Sequence, residues 1–144
     1  MRRLALVVVA GLALAGCGGS SNTSTTDSTA AAQAQIKSAY QKFFSGQTSV
    51  SDRAAVLQDG SRFKSVIQNF ASNPLAKNVR VTVSSVTLQG ANNAKVVYTV
   101  KLGGAGLPKQ TGTAVLQDGT WKVGYASLCK LVALQGSTPS ACKP

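Results

Sequence analysis

The hydrophobic positions in the first half of the chain recur at the spacing of α-helices. In residues 30–45 the apolar side chains repeat every three or four positions, so they line one face, and Gly46 follows as a stop signal. A short second helix is predicted for residues 51–57, and a third for residues 61–72, where Pro74 marks the end. Each predicted helix has one apolar face and therefore needs a surface to cover.

The second half of the chain alternates apolar and polar residues with a period of two, as strands with one buried face do. The alternating runs are residues 79–88, 94–102, 111–117 and 120–126, and an Asp-Gly dipeptide between the last two favours a two-residue hairpin turn. In the first run the alternation slips by one position across residues 84–85. This slip predicts a β-bulge, which would bend the strand.

Three helices followed by four antiparallel strands predict one α+β domain over residues 30–144, with the helices on one face of a curved sheet. This order resembles the NTF2-like, cystatin-like cone, in which the sheet wraps a long first helix. A closer resemblance is to the actinobacterial low-molecular-weight antigen family, the MTB12-like secreted antigens and lipoproteins. It rests on residues 34–44, 57–60, 116–123 and 127–129. The resemblance implies an exported envelope domain of unassigned activity.

The N-terminus resembles the signal peptide of a bacterial lipoprotein. Two arginines precede an apolar run over residues 4–15, which is too short to span a bilayer. Residues 14–17, Leu-Ala-Gly-Cys, resemble a lipobox. The resemblance implies removal of residues 1–16, a lipid on the Cys17 thiol, and anchoring at the extracytoplasmic face of the cell membrane. The small, polar residues 17–29 are expected to form a disordered tether.

Lipidation also accounts for the odd number of cysteines. With Cys17 lipidated, Cys129 and Cys142 remain as a pair outside the cytoplasm, where disulfides persist. A redox-active or metal-binding pair is the alternative, but the spacing is not that of a CxxC motif and no partner ligands accompany it. A structural disulfide that holds the C-terminal tail is therefore predicted.

The charge balance is strongly basic, with 15 Lys and Arg against 4 acids and a formal charge of +11. Loss of the two signal-peptide arginines leaves 13 bases, 4 acids and a charge of +9. Such a surface attracts anionic lipid headgroups or an acidic envelope polymer, and a protein partner is a further expectation. Export argues against nucleic acid as the partner. The bases are scattered singly, so a merely solvated cationic surface is the alternative.

The residues that usually carry catalysis are scarce. The chain has no His and no Glu, and its acids are Asp27, Asp52, Asp59 and Asp118, which fall in the tether, at a helix start or in turns. Metal sites need clustered His, Cys or carboxylate ligands, which the sequence does not supply. We therefore expect no catalytic residues, no metal and no cofactor, and we predict that the protein is not an enzyme.

Two non-catalytic functions remain. In the first, the cone is packed solid and the domain is an interaction module at the cell envelope. In the alternative, the cone binds or carries a small, lipid-like apolar ligand. The aromatic and apolar side chains expected to line such a pocket are Tyr40, Phe44, Val96, Tyr98, Trp121 and Tyr125. An apolar cavity of about 300 Å³ or more would favour the alternative.

Overall fold

The structure, a computed structural model, describes residues 23–134 and 136–144. The predicted signal peptide, Cys17 and the first part of the tether lie outside the described residues. The α-helices are α1 (Thr23–Phe44), α2 (Val50–Ala55), α3 (Lys64–Ser72) and α4 (Tyr125–Leu134). The strands are β1 (Val79–Leu88), β2 (Asn93–Leu102), β3 (Ala105–Gly106), β4 (Gln110–Gln117) and β5 (Thr120–Val123). Short 3₁₀ turns occupy Gly60–Phe63, Pro74–Asn78 and Ser140–Cys142.

The long helix α1 buries the apolar face that the sequence predicts. Its residues Ile36, Ala39, Tyr40, Phe43 and Phe44 are all buried. The helix begins at Thr23 rather than at residue 30, so residues 23–29 are helical and not part of a disordered tether. Once a helix is nucleated, each further residue adds a backbone hydrogen bond at little extra cost, which accounts for the longer helix.

The short helix α2 begins one turn after α1 ends and is capped by a serine. The Ser49 hydroxyl accepts a hydrogen bond from the Asp52 amide at 3.1 Å and donates one to the Asp52 carboxylate at 2.9 Å. This cap satisfies one of the amides that the first turn leaves unpaired, and the helix starts one position earlier than predicted. After α2, the segment at Leu57 lies beside β5, where Gln58 N–H donates to the Val123 carbonyl at 2.8 Å.

The strands form one antiparallel sheet in the order β1-β2-β4-β5, and the two-residue β3 pairs with the end of β2. The sheet therefore contains the four predicted strands, of which β5 is shorter than predicted, and the short strand β3 in addition. The register of β1 on β2 shifts between Val83 and Ser85, which confirms the predicted bulge. The sheet curls around α1 as a half-barrel, with the apolar side chains of its concave face against the helix.

The end of the chain differs from the prediction. The last strand stops at Val123, and residues 125–134 form α4, so the described residues contain four α-helices rather than three. Only α1 lies at the N-terminal end. The short helices α2 and α3 follow it in the sequence and precede the first strand. The buried residues Leu128 and Val132 are four positions apart, a helical spacing in a segment for which no element was predicted.

The predicted disulfide joins α4 to the C-terminal tail. Cys129 and Cys142 are bonded, and their Cα atoms lie 5.5 Å apart. Its loop of 13 positions contributes about 3 kcal/mol on the chain-entropy model. Among the described residues, no helix is both long and apolar enough to cross a bilayer.

Candidate binding surfaces

Three aromatic side chains predicted to line a pocket instead fill the concave side of the sheet. The ring centroids of Tyr40 and Tyr98 lie 5.1 Å apart, and those of Phe44 and Tyr98 lie 5.5 Å apart. All three side chains are at most 2% exposed. Their rings are in direct contact at distances typical of packed aromatic pairs, so this part of the cone is core rather than an open pocket.

The Tyr40 hydroxyl connects α1 to β4 and α4 through hydrogen bonds. It donates to the Thr113 carbonyl of β4 at 2.7 Å and lies 3.1 Å from the hydroxyl of Ser127 in α4. The Ser127 hydroxyl accepts from the Thr113 amide at 3.0 Å. Burial raises the pKa values of Tyr40 and Tyr98, so both phenols stay protonated at neutral pH. This closed set of hydrogen bonds is typical of a structural role.

Val96, also predicted to line the pocket, is fully buried in the core. The other two predicted aromatic residues lie elsewhere. Trp121 is buried on β5, beside a shallow surface depression that Ala39 and Lys42 also line. Tyr125 is 38% exposed and stacks on Phe63, with ring centroids 5.5 Å apart. The prediction that Tyr125 faces the interior was wrong, because β5 ends before this residue and the helix α4 starts with it.

An apolar cavity does exist at the end of the sheet where β1 begins and β2 ends. Its volume is about 440 Å³, and one polar side chain, that of Gln110, contributes to its wall. The apolar lining residues are Phe70, Val79, Val100, Leu102, Leu107, Pro108 and Leu131. Sequence reasoning missed this cavity because Leu107 lies in a loop assigned only as a connection and Leu131 lies on the unpredicted α4.

One arginine is buried beneath this region. Arg53 is 2% exposed, and its Nη2 donates to the Ser45 carbonyl just after α1. The guanidinium lies 5.7 Å from the centroid of the Phe70 ring, while Nε and Nη1 have no hydrogen-bond partner among the described residues. Burial lowers the pKa of Arg53. A cation at the C-terminal end of a helix is favoured by the helix dipole, and this attraction offsets part of the cost of burying Arg53 beside the end of α1.

The other bases lie at the surface. Twelve of the thirteen bases in the described residues are exposed or half-buried, and in this part of the chain a single ion pair forms, between Lys42 Nζ and Asp52 Oδ1 at 3.8 Å. The four acids are exposed, and Asp59 and Asp118 occupy turns with positive φ. The part of the chain that the structure describes has no group of three metal-ligating side chains.

The convex side of the sheet carries cations and hydroxyls. Arg80 of β1 lies directly opposite Lys101 of β2, and Lys95 lies six positions along β2 on the same side. We call this surface the basic sheet face, and its members are Arg80, Thr82, Thr87, Lys95, Thr99, Lys101, Thr111 and Thr113. Most of these side chains are exposed, and Thr99 is half-buried. The sequence placed these residues on outward strand positions but did not group them.

Comparisons with known proteins place the chain in a family. The model of the family "Low molecular weight antigen MTB12, C-terminal domain" matches residues 29–139. A solved structure from Campylobacter jejuni, titled a putative NTF2-like transpeptidase, is 12% identical, and the match covers 72% of this chain and 98% of that chain with a TM-score of 0.42. No curated protein matches the chain. The segments on which the sequence resemblance rests all lie within residues 29–139, and the chain belongs to the family of the low molecular weight antigen MTB12.

Proposed function

We propose that this protein is a non-catalytic interaction module of the cell envelope, held at the outer face of the membrane by a lipid on Cys17, with an acidic partner. The observation that carries the proposal is the unbalanced surface charge. Among the described residues, twelve bases at the surface face four exposed acids, and one ion pair forms among them. Such a surface attracts anions over a distance of about one Debye length, roughly 8 Å at physiological salt.

The absence of a catalytic arrangement among the described residues supports an interaction rather than a reaction. The four carboxylates are exposed, and the two interior phenols, Tyr40 and Tyr98, have pKa values raised by burial. A general base needs a pKa near the working pH and access to a substrate. Neither phenol meets these requirements, because both are packed among other rings.

Retention on an acidic polymer tests the proposed function. The full lipidated chain, purified in detergent, is passed over immobilised polygalacturonate, a linear sugar polymer with one carboxylate per unit. We expect retention at low salt and release as the salt concentration rises, because screening weakens contacts between exposed charges. The matched control is the methyl ester of the same polymer, which is neutral and should not retain the protein. Equal elution from both columns would contradict the proposal.

A second candidate function is the binding of a small apolar ligand, and a specific observation favours it. The cavity between Phe70, Leu102 and Leu107 has a volume of about 440 Å³ and a mainly apolar wall. Pockets for small ligands usually measure about 300–1,000 Å³. The site differs from the one that the sequence predicted, because the Tyr40–Phe44–Tyr98 cluster is filled by its own rings.

Native mass spectrometry of protein purified from its own host tests this second candidate. A ligand should appear as a reproducible added mass in the wild-type chain. The added mass should disappear in Leu107→Trp, because the larger indole side chain at this half-buried position fills the cavity. Leu75→Trp is the matched control, since Leu75 is 66% exposed and lies outside the cavity wall. Wild-type protein without any added mass would contradict ligand carriage.

A further inference from the structure

We infer that the basic sheet face binds a single linear acidic polysaccharide along the β2 strand. This inference rests on the proposed function and names the site and the class of partner. Its first support is the pair Arg80 and Lys101, which are direct cross-strand neighbours with exposed side chains. Side chains opposite each other in an antiparallel pair lie about 5 Å apart, and like charges in such positions are unfavourable. An anion bound between them removes the repulsion.

The neighbourhood of this pair contains no compensating acid. The described carboxylates lie in α1, in α2, and in the two turns at Asp59 and Asp118, and none of them is on β1 or β2. Lys122 of β5 also points to the convex side, but it shares a depression with Asp59 and Asp118 and is therefore left out of the site. The basic sheet face thus keeps its positive charge uncompensated.

The arrangement of the cations favours an extended ligand over a small anion. Lys95 and Lys101 are separated by six positions of one strand, which corresponds to about 20 Å. Thr99 lies between them, and Thr82, Thr87, Thr111 and Thr113 flank the line on the neighbouring strands. Threonine hydroxyls donate and accept hydrogen bonds, as sugar hydroxyls require, while the cations match carboxylates. A polymer of several acidic sugar units is long enough to contact both Lys95 and Lys101, whereas a small anion is not.

The shape and chemistry of the face argue against a bilayer as its partner. The face is the outer, convex side of a curled sheet, so a flat membrane would touch only part of it. Its apolar outward residues on β2 and β4 are Val97 and Val115, both half-buried. Membrane-surface sites usually present large apolar side chains that enter the headgroup region, and the basic sheet face has none.

The experiment compares two triple variants of the full lipidated chain with equal loss of charge. The face variant is Arg80→Gln, Lys95→Gln and Lys101→Gln, and the control variant is Lys37→Gln, Lys64→Gln and Lys77→Gln, three exposed lysines on other elements. We expect the affinity for soluble polygalacturonate at low salt to fall about tenfold or more in the face variant and less than about threefold in the control. Thermal unfolding should occur at an unchanged or higher temperature in the face variant, because a like-charge pair is removed.

Further measurements distinguish the extended polysaccharide site from a site for a small anion and from a site for lipid. Monomeric galacturonate at the same carboxylate concentration should compete poorly with the polymer, and competition as strong as that of the polymer would overturn the extended site. Equal losses in both triple variants would overturn the site but leave the proposed function standing. A wild-type protein that does not bind the polymer at all would refute both. Binding to vesicles that contain phosphatidylglycerol is compared with Cys17→Ala in every protein, because a lipid on Cys17 would hold any variant on the vesicle. The face variant should then bind as well as the chain with Cys17→Ala alone, and selective loss of vesicle binding would assign the face to lipid.

Discussion

At the scale of single residues, Gly112 on β4 stands where there is no room for a side chain. A Cβ atom at this position would lie 2.5 Å from the hydroxyl oxygens of both Tyr40 and Ser127. Only glycine allows the two hydroxyls to meet at the backbone of Thr113, where α1, β4 and α4 are joined. The hydrogen bonds in this small region therefore connect elements that lie far apart in the sequence.

Substitution of Tyr40 by Phe tests how much this connection contributes. The change removes the bond to the Thr113 carbonyl and leaves the buried Ser127 hydroxyl with one partner fewer. We expect the free energy of unfolding to fall by about 1–2 kcal/mol, the usual range for a buried hydrogen bond. Urea denaturation measures this as a lower midpoint with an unchanged slope.

Tyr125→Phe is the matched control, because the Tyr125 side chain is 38% exposed. We expect it to change the free energy of unfolding by less than about 0.5 kcal/mol, as surface substitutions usually do. If Tyr40→Phe costs no more than Tyr125→Phe, the hydrogen bonds around Thr113 do not stabilise the fold.

The sequence predicts the burial of some single residues but not the contacts that they make. The burial of Tyr40 and Phe44 follows from helical spacing, and that of Tyr98 follows from strand alternation. Their contact with each other depends on how α1 crosses the sheet, which no local pattern encodes. The burial of Arg53 was not predicted, because its position beside the end of α1 is set by the path of the chain after Gly46.

At the scale of elements, the strands were easier to predict than the ends of the helices. Alternation gave β1, β2 and β4 nearly at their observed limits, and the slip at residues 84–85 located the bulge. Alternation over residues 120–126 failed, because Tyr125 fits the parity of the strand although Gly124 already ends it. A short segment with few residues cannot distinguish a period of two from a helical period.

The misassigned α4 also concealed the apolar cavity. Leu131 faces the apolar cavity from α4, and Leu107 faces it from the loop between β3 and β4. Neither side chain belongs to a predicted apolar face, so the cavity could not be assembled from the predicted elements. The disulfide was predicted despite this error, because it follows from the number and compartment of the cysteines and not from local structure.

At the scale of the whole molecule, the two ends of the sheet have different surroundings. The Gln33 side chain in the first part of α1 donates to the Val86 carbonyl at 3.1 Å, so the N-terminal half of α1 lies near the end of β1. The apolar cavity lies near Val79 and Leu102, at the start of β1 and the end of β2. A chain held through Cys17 would therefore be attached nearer the end of the sheet that is opposite the cavity.

Replacement of Cys17 by Ala tests the attachment itself. A lipid needs the thiol, so we expect the wild-type protein in the membrane fraction and the variant in the soluble fraction or unprocessed. Cell fractionation with detection of apparent mass measures both outcomes, and a high-salt wash separates lipid anchoring from charge attraction, because salt screens only the latter. Ser20→Ala is the control and should stay with the membrane.

A Cys17→Ala variant that remains membrane-bound after the wash, at the processed mass, would contradict lipidation. If instead the salt wash releases the wild type, charge alone holds the protein, and the basic sheet face becomes the candidate for that contact.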